Sequence, residues 1–287
     1  MHEILVISGK GGAGKTSVTG AFAHLAENAI FCDLDVDAPD FHLITQPEHY
    51  EEHEFWSGRE AQIRQEDCIQ CGECLARCRF DAIIEKDGTY TVDPLKCEGC
   101  KVCVALCPSE AIDFNLKNCG DWFRSRTRFG DLVHAQLFPG EENSGRLVAL
   151  LKEEARKTAT ERGYDIMLAD GAPGIGCPVI ASLSGTDLAV FVTEPTPSGL
   201  HDLERVAALC DHFRVKGCVV INKYDLNTSM AAEIRAFCER HGYTVVGHIP
   251  HSHAVTEAMV ERKTVTEFDP RMRTVFESIW NNVLAQL

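Results

Sequence analysis

The sequence predicts an α/β fold in which a doubly wound, mostly parallel sheet is interrupted by a small inserted α+β domain. Over most of the chain, apolar runs of strand length alternate with amphipathic segments of helix length. Between residues 60 and 115 this alternation stops, and a cysteine-rich unit occurs twice, at an offset of 29 residues from Cys68 to Cys97. We therefore expect an outer domain formed by residues 1–59 and 116–287, with the insert at 60–115.

The outer domain begins with a strand, a glycine-rich turn and a helix. An apolar run at 3–7 leads into the turn at 9–16, and an alanine-rich stretch follows at 17–29. Further apolar runs predict buried strands at 29–32, 166–169, 188–193, 217–221 and 244–249. Amphipathic patterns predict helices at 147–162, 201–213 and 231–241, whereas no element is predicted from 118 to 145. This order places ligands at the carboxyl ends of the strands.

Composition limits the classes of function. The 287 residues carry a formal charge of −15, which argues against a broad nucleic-acid-binding surface. No apolar run reaches the roughly 18 residues of a membrane-spanning helix, and residues 1–8 do not resemble a signal peptide. We therefore expect a cytoplasmic protein with no nucleic-acid partner and no stable membrane insertion. In that compartment fourteen cysteines indicate metal ligation rather than disulfides.

Eight of the cysteines form two runs with the spacing C-x2-C-x2-C-x3-C. The runs are Cys68, Cys71, Cys74 and Cys78, and then Cys97, Cys100, Cys103 and Cys107. Thiolates are soft ligands, and three on one tight loop can hold three corners of a cubane cluster. A pair of zinc sites is the alternative, because C-x2-C pairs also bind zinc. Two runs of four with three residues before the last cysteine favour two [4Fe–4S] clusters, whose role could be structural or redox.

The two runs resemble the bacterial two-cluster ferredoxins over about 50 residues, and the second run is followed by Pro108. The resemblance implies that the fourth cysteine of each run ligates the other cluster. It assigns one cluster to Cys68, Cys71, Cys74 and Cys107, and the other to Cys97, Cys100, Cys103 and Cys78. Arg79 stands where that family has proline, which leaves ligation intact and can alter the potential of the nearby cluster.

A phosphate-binding loop is predicted between the first strand and the first helix. Its residues are Gly9, Lys10, Gly11, Gly12, Ala13, Gly14, Lys15 and Thr16, which match GxxxxGK[ST], and Ser17 follows as a further nucleotide-binding residue. Glycines let backbone N–H groups surround phosphate oxygens. Lys15 is expected to reach the β- and γ-phosphates, and the Thr16 hydroxyl is expected to ligate Mg²⁺.

The second lysine of this loop, Lys10, gives the pattern KGGxGK[ST], which resembles the deviant Walker A loop of the MinD/ParA/Mrp ATPases. The resemblance covers most of the chain and implies an ATPase that pairs with its own copy or with a paralogous ATPase. Lys10 would then cross the dimer interface and contact the partner's nucleotide. A solvated surface lysine is the alternative.

Three further segments resemble the same family. Asp33-Leu34-Asp35 follows the second strand, and the resemblance gives Asp35 the role of orienting the attacking water. Asp170 begins a D-x-x-P-G segment and is expected to hold Mg²⁺. Asn222 and Lys223 begin an NKxD segment in which Asn222 is expected to bind the purine; GTPases share this motif, so the lysine-bearing loop is what favours ATP. Helix caps or solvated loops are the alternative for the acids.

The combination gives three functional hypotheses. The first is ATP-gated electron transfer to a partner protein, by analogy with the nitrogenase iron protein. The second is a carrier or assembly ATPase for iron–sulfur clusters, as in Mrp relatives, and the third is a MinD- or ParA-like spatial organiser with redox-sensing clusters. The expected partner is accordingly a redox protein or a cluster-accepting protein.

Several weaker signals remain. Arg124, Arg126 and Arg128 alternate, either as a docking patch or as a solvated strand face. The last residues, 272–287, predict an amphipathic helix packed on the core, and Cys177 is expected to be a buried, inert thiol. Segments 127–130, 142–145 and 194–197 also resemble the subgroup with an inserted ferredoxin domain, whereas 251–253 departs from it.

Overall fold

The structure is a computed structural model that describes residues 1–141 and 144–287, so Glu142 and Asn143 of the 142–145 segment lie outside the described residues. The chain divides into two compact units. The first contains Met1–His53, Trp122–Gln136 and Ser144–Leu287, and the second contains Glu54–Asp121 and Leu137–Asn143.

The strands are β1 (His2–Ser8), β2 (Ala29–Asp33), β3 (Glu48–Ile63), β4 (Ile83–Lys86), β5 (Thr89–Val92), β6 (Ile112–Arg126), β7 (Asp131–Leu137), β8 (Ile166–Pro173), β9 (Leu188–Thr193), β10 (Lys216–Asn222) and β11 (Thr244–Ile249). The helices are α1 (Lys15–Leu25), α2 (Phe41–Thr45), α3 (Glu73–Arg77), α4 (Val102–Leu106), α5 (Ser144–Arg162), α6 (Cys177–Leu183), α7 (Pro197–Phe213), α8 (Thr228–His241), α9 (Ala254–Val260), α10 (Val265–Phe268) and α11 (Pro270–Leu284). The predicted limits of the insert, 60 and 115, fall within β3 and β6.

A nine-stranded sheet has the order β11-β10-β9-β1-β8-β2-β7-β6-β3. The pairs β1–β8, β1–β9, β9–β10, β10–β11, β2–β8 and β2–β7 are parallel. The predicted doubly wound, mostly parallel sheet is therefore confirmed. Strand β1 lies between β8 and β9, and its residues 4–7 are apolar and buried, because parallel strands are covered on both faces.

Two groups of helices cover the sheet of the first unit. Helix α1 contacts α10 and α11, whereas α5 contacts α6, which packs on β8. Alternate side chains of β1 lie on opposite faces of the sheet. Ile4 and Val6 belong to the core cluster that includes residues of α1 and α11, whereas Leu5 and Ile7 do not. Helix α11 buries Met272, Phe276, Ile279, Trp280 and Val283, so its predicted packing on the core is confirmed. No helix in the described ranges has the length and apolarity to cross a membrane.

The prediction of no element from 118 to 145 was wrong. Strands β6 and β7 lie there, joined by a turn in which the Thr127 N–H donates to the Gly130 carbonyl. The strand was hidden because it carries charged side chains where an apolar alternation would be expected. Arg124 forms ion pairs with Glu51 and Glu154, and Arg126 pairs with Asp131, which is fully buried.

The second unit contains the hairpin of β4 and β5 and the short helices α3 and α4. Ala61, Ile63, Ile83 and Ile112 form its small apolar core, and six cysteines of the two runs together with Tyr90 and Val92 pack against it. So small a core gives limited burial, which is the condition under which bound metal commonly contributes to stability.

Candidate functional site

The phosphate loop occupies residues 9–14, between the end of β1 and the start of α1. Gly12 and Gly14 have φ of 80° and 91°, a left-handed conformation that favours glycine. A Cβ on Gly14 would lie 2.3 Å from Asn222 Nδ2, and one on Gly9 would lie 2.4 Å from the Asp202 carbonyl oxygen. The glycine pattern therefore reflects both backbone conformation and close neighbours.

A cleft of about 530 Å³ opens at this loop. Its lining contains Gly11, Gly12, Gly14, Lys15, Thr16 and Ser17 on one side, with Asp35, Asp37, Ala38, Asp40, Ala172, Pro173 and Pro178. The structure thus brings together most of the predicted loop residues and Asp35. Gly9, Lys10, Ala13, Asp170, Asn222 and Lys223 are not among the lining residues.

Lys15 forms the centre of a charge cluster beside the cleft. Its Nζ lies 3.1 Å from Asp170 Oδ2 and 3.3 Å from Asp35 Oδ2. Burial opposes the charged amine, but the carboxylates of Asp170 and Asp35 outweigh it and raise the pKa of Lys15. Asp33 is fully buried, one of its oxygens has no partner among the described residues, and burial together with Asp170 raises its pKa.

Thr16 and Asp170 form an arrangement suited to Mg²⁺. The Thr16 hydroxyl donates to Asp170 Oδ2 at 2.8 Å, so two hard oxygen ligands already lie side by side. Thr19 donates to the other carboxylate oxygen of Asp170 at 2.7 Å. Sequence reasoning missed Thr19, although its position four residues after Lys15 places it on the same face of α1.

Lys10 lies at the other side of the loop and is bound within its own chain. Its Nζ forms a 2.7 Å ion pair with Glu194 and donates to Ser198 at 2.9 Å. Glu194 also forms an ion pair with Lys223, whose Nζ lies 3.2 Å from Glu194 Oε2. Burial alone would raise the pKa of Glu194, but the two lysines lower it. Glu194 was not predicted as a site residue, and Lys223 is directed to it in this structure.

Asn222 fastens the phosphate loop to the end of β10. Its amide donates to the Ala13 carbonyl at 2.9 Å, and its Oδ1 accepts from the Lys223 N–H. Asp225 of the same NKxD segment accepts from the His251 N–H at 2.7 Å. The contact of Asn222 with a purine stays a prediction.

Each of two cavities in the second unit is surrounded by four predicted cysteines. One is lined by Cys68, Cys71, Cys74 and Cys107, and the other by Cys97, Cys100, Cys103 and Cys78. The structure thus groups the cysteines as the crossed assignment requires, three from one run and the fourth from the other. All eight thiols are free.

The surroundings of the fourth cysteines match in the two halves. The Ala82 N–H donates to Cys78 Sγ at 3.4 Å, and the Ala111 N–H donates to Cys107 Sγ at 3.3 Å. Burial opposes the thiolate, but this N–H and the contacts with Ser109 lower the pKa of Cys107. Backbone donors aimed at sulfur are the environment that a metal-bound thiolate requires.

The two metal hypotheses require different distances between the thiol sulfurs. The thiolates around one zinc ion lie roughly 3.8 Å apart, as follows from a Zn–S distance of about 2.3 Å and tetrahedral geometry. Within residues 1–141 and 144–287, no three His, Cys, Asp or Glu side chains converge enough to hold a single ion.

The structure also shows the surroundings of the three alternating arginines and of Cys177. Arg124, Arg126 and Arg128 all form intramolecular ion pairs, Arg128 with Glu267 at 2.6 Å. The expectation that Cys177 is buried was wrong, because it is exposed at the first turn of α6, where a short loop leaves the end of β8. The cysteines outside the two runs are otherwise buried: Cys32, Cys119, Cys210, Cys218 and Cys238.

Comparison with known proteins bears on both units. Residues 61–114 match a family model described as a 4Fe-4S dicluster domain. The chain is 36% identical over 228 residues to the protein MJ0578 of Methanocaldococcus jannaschii, covering 78% of this chain and 79% of that protein. It is 26% identical over 237 residues to MJ0579 of the same organism, covering 79% and 83%.

Solved structures give the fold of the whole chain. The cell division ATPase MinD of Pyrococcus furiosus matches with a TM-score of 0.59 and 16% identity, covering 100% of this chain and 99% of that one. The α/β fold predicted from the alternation of apolar runs and amphipathic segments is confirmed by this match.

Proposed function

Because the chain belongs to the family of the Methanocaldococcus jannaschii protein MJ0578 and joins a MinD/ParA-type fold to a 4Fe-4S dicluster domain, we propose that it is an ATP-hydrolysing iron–sulfur protein. In this proposal its nucleotide state gates electron transfer from two [4Fe–4S] clusters to a partner protein. The supporting observation is that one buried amine, Lys15, holds both Asp35 and Asp170 beside the phosphate loop.

Nucleotide binding would rearrange this charge cluster. Phosphate oxygens at Lys15 compete with the two carboxylates for the same amine. Asp170 and Thr16 then hold Mg²⁺, and Asp35 is released to orient the attacking water. Asp35 belongs to the segment 33–40, four of whose residues line the cleft, so this segment is the element whose position depends on the nucleotide.

In this proposal Lys10 contacts the nucleotide of the partner subunit when two ATPase subunits dimerise. In the free chain Lys10 is neutralised by Glu194, which Lys223 also contacts. Transfer of Lys10 to a partner's nucleotide leaves Glu194 with Lys223, so no buried carboxylate loses all its cations. The partner ATPase is a second copy or a paralogue, and the presence of two relatives in one organism supports the paralogue.

The cysteines of the second unit hold the redox centre. The clusters supply one-electron transfer when bound. Cys78 and Cys107 each accept a backbone N–H at Sγ, which stabilises the thiolate in each half.

The proposal is tested with Asp170→Asn, which removes the charge that meets Lys15 and keeps the shape of the side chain. We expect MgATP to change the rate at which the reduced protein reduces a one-electron acceptor, and the variant to lose both this change and hydrolysis. Glu233→Gln, on the exposed face of α8, is the matched control. An unaltered response in Asp170→Asn would refute the proposal, and cluster transfer to an apo-protein without electron transfer would favour a carrier.

A further inference from the structure

A second cleft lies in the first unit and shares no lining residue with the nucleotide cleft. Its volume is about 730 Å³, within the range of small-molecule sites. Its lining includes His42, His49, Phe123, His134, Glu48 and Arg262. Neither the phosphate loop nor the cysteine runs use any of them.

One wall of this cleft is an ordered stack of rings. His49 and Phe123 are stacked with centroids 4.5 Å apart, and His134 lies 5.2 Å from each of them. The buried Ser125 hydroxyl bridges the imidazoles, 2.7 Å from His49 Nδ1 and 2.9 Å from His134 Nε2. The rings are thus fixed before any ligand arrives.

The same hydrogen bonds argue against a metal centre. Ser125 occupies one ring nitrogen of His49 and one of His134. Among the residues that the structure describes, no group of three His, Cys, Asp or Glu side chains could hold an ion. Burial, reinforced by His49 and His42, lowers the pKa of His134 to about 3, so this ring is neutral at pH 7.

Arg262 brings an unused cation to the cleft. Its backbone has φ of 55°, and its carbonyl accepts hydrogen bonds from Gln46 at 2.9 Å and Arg128 at 3.2 Å. The guanidinium itself makes no ion pair or hydrogen bond within the described parts of the chain. The exposed Glu48 also lines the cleft and is not paired with it. A held backbone with a free guanidinium is suited to an oxyanion.

We propose that this cleft binds a small organic anion with a planar ring. Its carboxylate or phosphate group pairs with Arg262, and its ring packs on the wall formed by Phe123 and His49. The imidazoles of His42 and His134 give hydrogen-bonding positions that orient the ligand between these two ends.

The cleft is joined to the nucleotide site by one continuous segment. Residues 35, 37, 38 and 40 line the nucleotide cleft, whereas Pro39, His42 and Leu43 line the second cleft. A ligand in the second cleft and a nucleotide therefore contact the same stretch of backbone, and the anion is expected to change nucleotide affinity. This coupling rests on the nucleotide binding proposed above.

Binding is tested by anaerobic calorimetry of the whole protein with benzoate and phenyl phosphate. Each probe is titrated with and without saturating MgADP, which prevents phenyl phosphate from occupying the phosphate loop. We expect at least one probe to bind, and Arg262→Gln to weaken it at least about tenfold. Arg271→Gln, an exposed arginine at the start of α11, is the matched control and keeps full affinity.

The two probes identify the anionic group, because the tighter one shows whether carboxylate or phosphate is preferred. Absence of binding by both, or equal affinity in Arg262→Gln, would overturn the proposal. Zn²⁺ binding that disappears in His42→Gln would overturn it in favour of a metal site.

Coupling is read as the dissociation constant of MgADP with and without the bound probe. We expect a change of at least about twofold in the native protein and none in Arg262→Gln. Probe binding with an unchanged constant would refute the coupling and leave the site. A chain that binds no nucleotide would refute the proposed function, whereas the titration without MgADP would still decide the cleft.

Discussion

Replacement of Lys15 by methionine removes the cation that the charge cluster shares. At an effective dielectric constant of 20, a pair at 3.1–3.3 Å is worth about 5 kcal/mol before desolvation. Removing one partner of a buried pair costs about 3–5 kcal/mol. Three carboxylates remain, of which Asp33 and Asp170 are almost wholly buried, so we expect Lys15→Met to lose about 3–5 kcal/mol of unfolding free energy at pH 7.

The destabilisation should depend on pH in one direction. Burial and Asp170 already raise the pKa of Asp33, and burial raises that of Asp35 despite Lys15. Without the amine these values rise further, so the folded variant takes up protons that the unfolded chain does not. Folding of the variant is therefore favoured as pH falls, and the difference from the native protein shrinks between pH 7 and pH 5.

Denaturant unfolding in Mg²⁺-free buffer at the two pH values measures both effects. Lys10→Met is the matched control: Lys10 is half-buried, and Glu194 keeps Lys223, so its loss should stay below about 1 kcal/mol. A loss under about 1 kcal/mol for Lys15→Met at pH 7, or a loss that does not vary with pH, would show that the cluster is not electrostatically coupled as described.

Three further predictions concern other parts of the molecule. Cys107→Ser should lower the iron content by about half, because it removes a ligand from the site that Cys107 shares with Cys68. Cys78→Ser should cause the same loss at the other site. Iron analysis measures both, and an unchanged iron content would refute the crossed grouping. His134 has a pKa of about 3 in the folded protein, below the ordinary 6.5, so the stability that its neutral ring provides above pH 6.5 is lost as the pH falls. We expect the free energy of unfolding to fall by about 2 kcal/mol between pH 6.5 and pH 5, as measured by denaturant unfolding. His134→Phe should lack this loss, and equal pH dependence in both proteins would contradict the prediction. Lys10→Ala should abolish dimer-stimulated ATP hydrolysis and keep nucleotide binding; normal turnover would exclude a role across the interface.

The strands of the first unit could be predicted because they are buried on both faces. The run at 188–193 is apolar in sequence, and β9 has those bounds with every residue buried. The phosphate loop and cysteine runs were predictable for another reason, since their function depends on residue type at fixed local spacing.

The remaining features depend on contacts distant in sequence. Strand β6 carries Arg124, whose partner Glu154, 30 residues away, makes a charged position compatible with a strand. Glu194 was not recognised as a site residue because its contact with Lys10 joins residues 184 positions apart. The second cleft is likewise formed by residues of α2, β3, β6 and β7 together with Arg262, and no local sequence pattern predicts it.

Under the proposed function, nucleotide binding at the first unit changes the reduction potential of the clusters in the second. Anaerobic EPR of the dithionite-reduced protein, with and without MgATP and with iron counting, tests it most directly. We expect two interacting reduced cubane signals whose shape or potential shifts when MgATP binds. Two clusters with identical signals and potentials in both states would contradict nucleotide gating.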